Sequence, residues 1–548
     1  MNLIDQLLKY YDLDLKGLEK REEITGSFLD PLNNAWNFKN GINFINNLIA
    51  SKKKFVIYGD YDVDGMTSTS ILLMTLKSFN VDVGYYIPSR YKDGYGLSKN
   101  MIDQFKSKNY EVLITVDNGI GKYDEIDYAK KLGFYTIIID HHLINNDKVP
   151  NADFIFHHLY SHYVTYNISA AFLTLLVSYG LLKRYDEYFI TLAGIAALSD
   201  IMPLIEGNLL LVKKALININ KGLYPQFNYL LFKQEDLPKH VSNKLQIVYN
   251  KNNEAFIFPV YSKDVSFNII SFLNSLGRVD IGTRVNMAVK FLTATDLNEI
   301  QKYYKDILKV NSLKKDLMVK AKNDLSINDN PFIDIQLLEH TQVGILGSII
   351  NGLVSKNNKN TILLAYKDEK KDILVGSGRG IDGYDLYEIV NKHKDELLTF
   401  GGHPYAFGLS FYAKNFSKIK DELENDILNS DFKIPSKKYL LLDFNNITLD
   451  DYLSILRFDP FGNQFMEPNF IFKLQTKDLV FSKDGNSILL SNANGIKLNF
   501  FHFDKEILKT KEFYLSACFS YNIFRNQIQY TFIGTKVIPE LNSHKIIS

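Results

Sequence analysis

The sequence predicts an α/β protein: two α/β bodies joined by a long helix and followed by a small all-β domain. Three observations carry this. Short, continuous apolar runs alternate with segments of helical spacing between residues 41 and 150. A charged helical stretch with little turn chemistry runs from 296 to 328. From 437 onward, short strands are separated by polar turns such as Lys483-Asp484-Gly485-Asn486.

The 548 residues suffice for roughly three or four domains of about 150 residues each. Residues 1–40 read as an N-terminal helical segment. Apolar runs at 55–59, 81–88, 112–116 and 134–139 read as buried parallel strands, with helices over 67–79 and 121–132 between them. A doubly wound sheet of this kind takes ligands beyond the carboxyl ends of its strands. Helices over 168–200 and 206–222 complete the layer, and further helical pattern surrounds Leu273-Asn274-Ser275-Leu276-Gly277-Arg278. The first body therefore spans 41–295, and a connector helix takes 296–330. A second, smaller α/β unit, 331–435, holds an apolar strand at 361–366. It also holds the Gly-rich turn Gly376-Ser377-Gly378-Arg379-Gly380 and a run from Phe400 to Gly408 that includes Gly401, Gly402 and His403. Pro435 and Ser436 mark the next boundary, and 436–548 reads as a small barrel or sandwich.

Lys and Arg total 63 against 62 Asp and Glu, so bulk charge neither suggests nor excludes a nucleic acid; a polyanion site has to be a local groove. The single cysteine, Cys518, forms no internal disulfide, which suits a reducing cytoplasm. The N-terminus has early charge and no long apolar core, so no signal peptide is expected. No window approaches about 20 uninterrupted apolar residues, so no membrane span is expected either.

The chemistry sits at strand ends. The run Phe55 to Tyr58 is followed by Gly59 and by Asp60, Asp62 and Asp64 in alternation, then Gly65. Asp117 ends the second such run, Asp140-His141-His142 the third, and Asp200 follows Ile195-Ala196-Ala197-Leu198-Ser199. The first cluster imitates the opening of an EF-hand loop, but its twelfth position is Ile71 instead of a bidentate Glu, and a strand precedes it where a helix belongs. Asp60, Asp117 and Asp140 should converge in one crevice. Carboxylates crowded there repel one another unless cations neutralise them. Mixed carboxylate and imidazole donors without thiolate suit Mn²⁺, Mg²⁺ or Co²⁺ better than structural zinc. Two such ions about 3.5–4 Å apart, sharing a bridging carboxylate, can activate water and stabilise a leaving oxygen. His157 and His158 read as ordinary strand-end side chains, and Trp36 and Cys518 as packing residues.

In order and along nearly the whole chain, these motifs resemble the DHH phosphoesterase superfamily, and within it the RecJ single-strand-specific exonucleases. The matching segments are Gly59 to Gly65, Arg90 to Leu97, Val116 to Gly119, Asp140 to His142 and Ala197 to Leu204. Asn274 to Arg278, Gly376 to Leu386 and Gly401 to His403 follow, with Phe28 to Pro31 and Pro460 to Gly462 as shorter matches.

The resemblance implies roles. Asp60, Asp62 and Asp64 resemble the first metal-ligand group and Asp117 the bridging carboxylate. His141 and Asp200 resemble ligands of the second ion, and Asp140 an orienting acid. His142 would face the scissile phosphate. Where related pyrophosphatases carry a ligating His, this chain has Tyr58. Ser377 and Arg379 match a motif that holds a terminal 5′-phosphate, with Arg90, Arg278 and His403 as further phosphate contacts. The C-terminal domain resembles an oligonucleotide-binding (OB) fold, in which Tyr521, Phe524 and Arg525 would meet bases. Gly380 stands where the family usually has Ser, and 340–347 and 464–468 depart from the usual pattern.

The implied activity is metal-dependent 5′→3′ hydrolysis of single-stranded DNA to nucleoside 5′-monophosphates, in repair and recombination. Two Mn²⁺ or Mg²⁺ ions are the implied cofactors. A helicase and a single-strand-binding protein are implied partners, and the expected state is a cytoplasmic monomer. Two alternatives stay open: a phosphodiesterase of short oligonucleotides or cyclic dinucleotides, and a non-catalytic DNA-binding scaffold.

Overall fold

The computed structural model describes residues 2–24, 35, 37–94, 96–144, 148–231, 247–249, 255–257, 260–280, 285–326, 328, 330–357, 359–381, 384–403, 406–430, 436–524, 527–538 and 545–547. The chain divides into two compact units. One comprises Glu19–Asn311 with Phe458–Glu467; the other comprises Met1–Leu18, Ser312–Arg457 and Pro468–Ser548.

The unit that begins at Glu19 is built on five parallel strands: β1 (Phe55–Tyr58), β2 (Val83–Tyr86), β3 (Val112–Val116), β4 (Tyr135–Ile139) and β5 (Phe154–Phe156). Their order is β2-β1-β3-β4-β5. β1 and β3 are buried at every position, which is why they read as unbroken apolar runs instead of alternating ones. The order reverses between β1 and β3, and a switch point of this kind opens a crevice at the strands' carboxyl ends. Helices Val63–Lys77 and Ala170–Leu182 are buried on nearly all sides. Three polar residues of the first are satisfied within the helix: Thr67, Ser70 and Thr75 return their hydroxyls to the carbonyls of Val63, Met66 and Ile71 at 2.7–2.8 Å. A short antiparallel pair, β6 (Ile247–Tyr249) with β7 (Ala255–Ile257), also occurs in this stretch of chain.

The other unit holds two sheets. The first contains β8 (Ile333–Leu337), β9 (Asn360–Tyr366), β10 (Ile373–Arg379), β11 (Thr399–His403) and β12 (Ala406–Tyr412), in the order β11-β12-β10-β9-β8. Only β8 and β9 are parallel. The Gly-rich segment at 376–380, expected as a turn, is largely strand, with Gly376 to Arg379 inside β10. Its glycines face inward. A Cβ on Gly376 would press on Leu364 and Leu409, and one on Gly378 would enter the Phe407 ring. Ser377 and Arg379 therefore alternate onto the other face.

The second sheet has seven strands: β13 (Lys438–Leu442), β14 (Phe470–Gln475), β15 (Ser487–Ser491), β16 (Lys497–Phe501), β17 (Glu512–Phe524), β18 (Gln527–Ile538) and β19 (Lys545–Ile547), in the order β15-β16-β18-β17-β14-β13-β19. The helix Leu449–Leu456 accompanies it. The segment 1–40, expected as one helical piece, is divided. Helix Leu3–Tyr11 packs on β13 and on helix Leu449–Leu456. The Tyr10 hydroxyl donates to the Lys438 carbonyl at 3.2 Å, and Lys438 pairs with Asp12 at 3.1 Å. From Glu19 onward the chain belongs with the parallel sheet. The expected connector is the helix Leu297–Asn323. Among the described residues, no helix is long and apolar enough to cross a membrane.

Candidate metal centre

The centre grows from the carboxyl ends of β1, β3 and β4. After β1, Asp60 is buried, and its Oδ1 has no hydrogen-bond partner among the described residues. Asp62 caps helix Val63–Lys77, accepting the Gly65 N–H at 3.1 Å. Gly65 is required here: a Cβ would lie 2.5 Å from the Asp60 backbone nitrogen and oxygen. Gly277 presses from another side, where a Cβ would overlap the Tyr61 carbonyl oxygen. The turn between Asp60 and Asp62 is thus held by backbone on two faces. Asp64, inside the first helical turn, points elsewhere. It accepts the N–H groups of Ala170 and Ala171, at the start of helix Ala170–Leu182, at 2.7 and 2.8 Å.

Asp117 follows β3 in a left-handed backbone conformation, φ 60°. After β4, Asp140 accepts the N–H groups of Ile120, His141 and His142 at 2.9, 2.8 and 3.2 Å, and meets His142 Nδ1 at 2.7 Å. Its Oδ1 orients the two histidines, and its Oδ2 is held by Ile120. Asp200 closes helix Glu187–Ser199 as its C-cap, with 32% of its side chain exposed.

Three carboxylate oxygens surround His141 Nε2: Asp117 at 3.3 Å, Asp200 at 3.3 Å and Asp64 at 3.6 Å. At this centre three sets of donor atoms lie close enough to share an ion: Asp60, Asp62 and Asp117; Asp64, His141 and Asp200; and Asp117, His141 and His142. Asp117 belongs to two of them. Asp64 differs from the expected grouping with Asp60 and Asp62, because the N-terminus of helix Ala170–Leu182 draws its carboxylate toward His141.

The electrostatics ask for cations. Burial, then the neighbouring Asp62, pushes Asp60 and Asp64 each up to about 7. Burial and then Asp64 hold Asp117 well above the carboxylate range. Burial and then His142 push His141 well down, so it is a neutral donor. Burial opposes charge on His142 and on Asp140, yet their mutual contact prevails: His142 rises to about 10 and Asp140 falls below its usual range. A neutral imidazole ringed by strained acids, beside an unpartnered buried carboxylate oxygen, is a donor set that fits divalent metal ions.

Other expected site residues distribute between the units. Arg90, after β2, stacks over the Tyr61 ring at 4.4 Å, and its buried Nε has no hydrogen-bond partner among the described residues. Arg278 ends helix Ser271–Arg278, its carbonyl accepting the Tyr91 hydroxyl at 2.8 Å. Ser377 and Arg379 lie on β10 in the other unit; burial lowers the Arg379 pKa, and its Nε likewise lacks a partner among the described residues. His403 ends β11 opposite Ala406. Tyr521 sits in β17 opposite Tyr530, and Phe524 ends that strand opposite Gln527. Arg525 falls outside the described residues, as do Trp36 and the 28–31 motif. Tyr58 is no ligand: it is fully buried in β1 and donates to the Gly96 carbonyl at 2.9 Å.

His157 was legible only as a strand-end residue. Its Nε2 meets the His142 carbonyl at 2.9 Å, and its Nδ1 accepts the Tyr160 N–H at 3.3 Å. Those bonds fix the neutral tautomer with the proton on Nε2. Nothing in the local pattern signals this, because the His142 carbonyl lies 15 residues away and both partners are main-chain groups.

The model of the DHH family, N-terminal domain, matches residues 54–197, and that of the DHHA1 domain matches 333–429. The chain is 28% identical over 458 residues to the single-stranded-DNA-specific exonuclease RecJ of Bacillus subtilis, covering 79% of this chain and 54% of that protein. It thus spans about half the length of that relative. It is 24% identical to the Haemophilus influenzae protein of the same name, covering 76% of this chain and 73% of that one. The crystal structure of RecJ in complex with Mn²⁺ from Thermus thermophilus superposes with a TM-score of 0.78 at 17% identity, covering 99% of this chain and 78% of that one.

Proposed function

We propose that this chain, whose residues 54–197 and 333–429 match the DHH and DHHA1 models, is a metal-dependent exonuclease that shortens single-stranded DNA from its 5′ end, releasing nucleoside 5′-monophosphates. The observation that carries this reading is the ring of carboxylates around His141 Nε2, in a chain whose relatives are named for that activity.

Asp60, Asp62 and Asp117 would hold one ion, and Asp64, His141 and Asp200 a second. Bound Mn²⁺ or Mg²⁺ supplies a water nucleophile and neutralises charge for in-line displacement at phosphorus. The protein's own groups complete the site. Asp140 keeps a proton on His142 Nδ1 and fixes the ring plane, so that Nε2 can donate to a phosphoryl oxygen. Arg90 and Arg278 belong to the same unit as these acids, and guanidinium forks suit phosphate. In the other unit, Ser377, Arg379 and His403 are read as the grip on a terminal 5′-phosphate; the unpartnered Arg379 Nε supports that reading. Tyr521, Phe524 and Arg525 are read as base contacts. A cytoplasmic monomer working with a helicase and a single-strand-binding protein belongs to the same reading.

The test is a 5′-phosphorylated single strand labelled at either end and incubated with Mn²⁺ or Mg²⁺. Mononucleotides released from the 5′ end of the single strand, and not from a blunt duplex, are the expected result. Preference for a dinucleotide would move the chain to the small-substrate phosphodiesterases. Absence of a high-affinity Mn²⁺ or Mg²⁺ site by calorimetry would make it a DNA-binding scaffold.

A further inference from the structure

We propose that Asn463, in the turn Phe458–Glu467, is a positioning residue for the metal ligand Asp200. This rests on the metal-centre reading above. The turn is covalently part of the C-terminal region, between Arg457 and Pro468, yet it belongs to the unit that carries the acids.

Asp200 is the C-cap of its helix, and the residue after it, Ile201, has φ 53°. That is the left-handed region, which a β-branched side chain rarely enters. Ile201 is 54% exposed, so its own side chain does little to hold that conformation. Hydrogen bonds hold it from two directions. On the helix side, Met202 N–H donates to the Ala197 carbonyl at 2.9 Å. On the other side, Asn463 Nδ2 donates to the Ile201 carbonyl at 2.9 Å, and the Asn463 carbonyl accepts the Leu204 N–H at 3.0 Å. One residue thus brackets the segment 201–204 through side chain and main chain together.

The turn is itself anchored. Gly462 and Phe465 exchange N–H to carbonyl bonds at 3.0 Å. Arg21 places its guanidinium 3.4 Å from the Phe465 ring centroid and donates to the Pro460 carbonyl at 2.6 Å. Asp459 accepts the backbone N–H and the hydroxyl of Ser262, and Lys263 pairs with Glu467 at 3.1 Å. A rigid turn pressed on the residues after Asp200 sets where that carboxylate stands relative to His141. Outer-shell contacts of this kind tune metal affinity through the ligand they orient.

The test uses the full chain and reads Mn²⁺ binding by calorimetry, with thermal melts in chelator as a control on folding. Asn463→Ala should weaken the ion position that uses Asp200 by roughly 10-fold, as loss of an outer-shell partner does, and leave the other position unchanged. Asn463→Ser, a milder truncation, should give the same split if the alanine variant melts early. Lys263→Ala removes one of several anchors of the same turn and leaves both Asn463 bonds to 201–204 in place, and should weaken the Asp200 position less than Asn463→Ala does. Equal isotherms for parent, Asn463→Ala and Asn463→Ser would overturn the proposal, as would equal weakening by Lys263→Ala. A parent chain without any Mn²⁺ site would instead refute the metal centre itself.

Discussion

The parallel sheet and the sheet of β10 each bury charge, of opposite sign and by different means. In the first, acids follow strand ends, in loops or, for Asp64, in the first turn of the next helix. Their carboxylates crowd together, and burial raises their pKa. In the second, Arg379 stays within a strand, made possible by glycines at 376 and 378 that give up side-chain volume to Leu364, Leu409 and Phe407. Its pKa falls for the same reason that the acids' rise: burial disfavours charge of either sign. The first region calls for cations, the second for an anion. Neither arrangement improves the stability of the metal-free protein, which supports reading both as the proposed sites.

Asp117→Ala tests the acidic region most severely. Asp117 belongs to two of this centre's donor sets, so both ion positions should weaken and hydrolysis should fall by a factor on the order of 10³ or more with either metal. Cleavage near the parent rate would separate Asp117 from the chemistry. The metal-free protein should show a matching pH effect. Asp60 and Asp64 have folded values of about 7 against 3.8 for the free side chain. A raised carboxyl pKa contributes stability that is complete below the unfolded value and is lost as pH rises through the folded one. In chelator, the melting temperature should therefore fall between about pH 4 and pH 7, and Mn²⁺ should restore it. Asp60→Asn should flatten that slope; an unchanged slope would show that the acids are not under strain.

The basic region responds differently. Arg379→Gln should leave Mn²⁺ isotherms untouched while raising KM for 5′-phosphorylated strands by roughly 10-fold or more, the scale of a lost charge-assisted hydrogen bond. A strand with a 5′-hydroxyl should show little change. Two glycine substitutions sharpen the contrast. Gly277→Ala drives a methyl into the Tyr61 carbonyl, and should cost about 1–3 kcal/mol of stability together with metal affinity. Gly378→Ala meets the Phe407 ring instead, and should cost a similar amount without altering metal binding. Urea melts paired with calorimetry read both, and a common metal phenotype would erase the distinction.

The same contrast explains what could be read from sequence. An apolar run ending in an acid is a local signal, so β1, β3 and β4 and the acids after them were legible. Asp140 and the histidines beside it were legible as a group for the same reason. Gly376 to Arg379 looked like a turn because glycine weakens strand propensity, and the packing against Phe407 that makes it a strand lies outside the segment. The side of the cluster taken by Asp64 depended on N–H donors more than a hundred residues away. Asn463 was invisible because its partners lie on the main chain of a different stretch.

His157→Leu should have the smallest effect on the acidic region. The ring lies at the edge of the cluster, donating from Nε2 to the His142 carbonyl and accepting from Tyr160 at Nδ1. Removing it takes this hydrogen bond from the His142 carbonyl, a loss of about 1 kcal/mol, or roughly fivefold if all of it reaches the rate. The change should fall on kcat, because the carbonyl belongs to the residue whose ring is held by Asp140, and no donor in the metal sets is lost. His157→Gln carries an amide donor near the position of Nε2 and should recover most of the rate. Equal losses for Leu and Gln, or a loss confined to melting temperature, would make His157 a packing residue and leave the orientation of His142 to Asp140 alone.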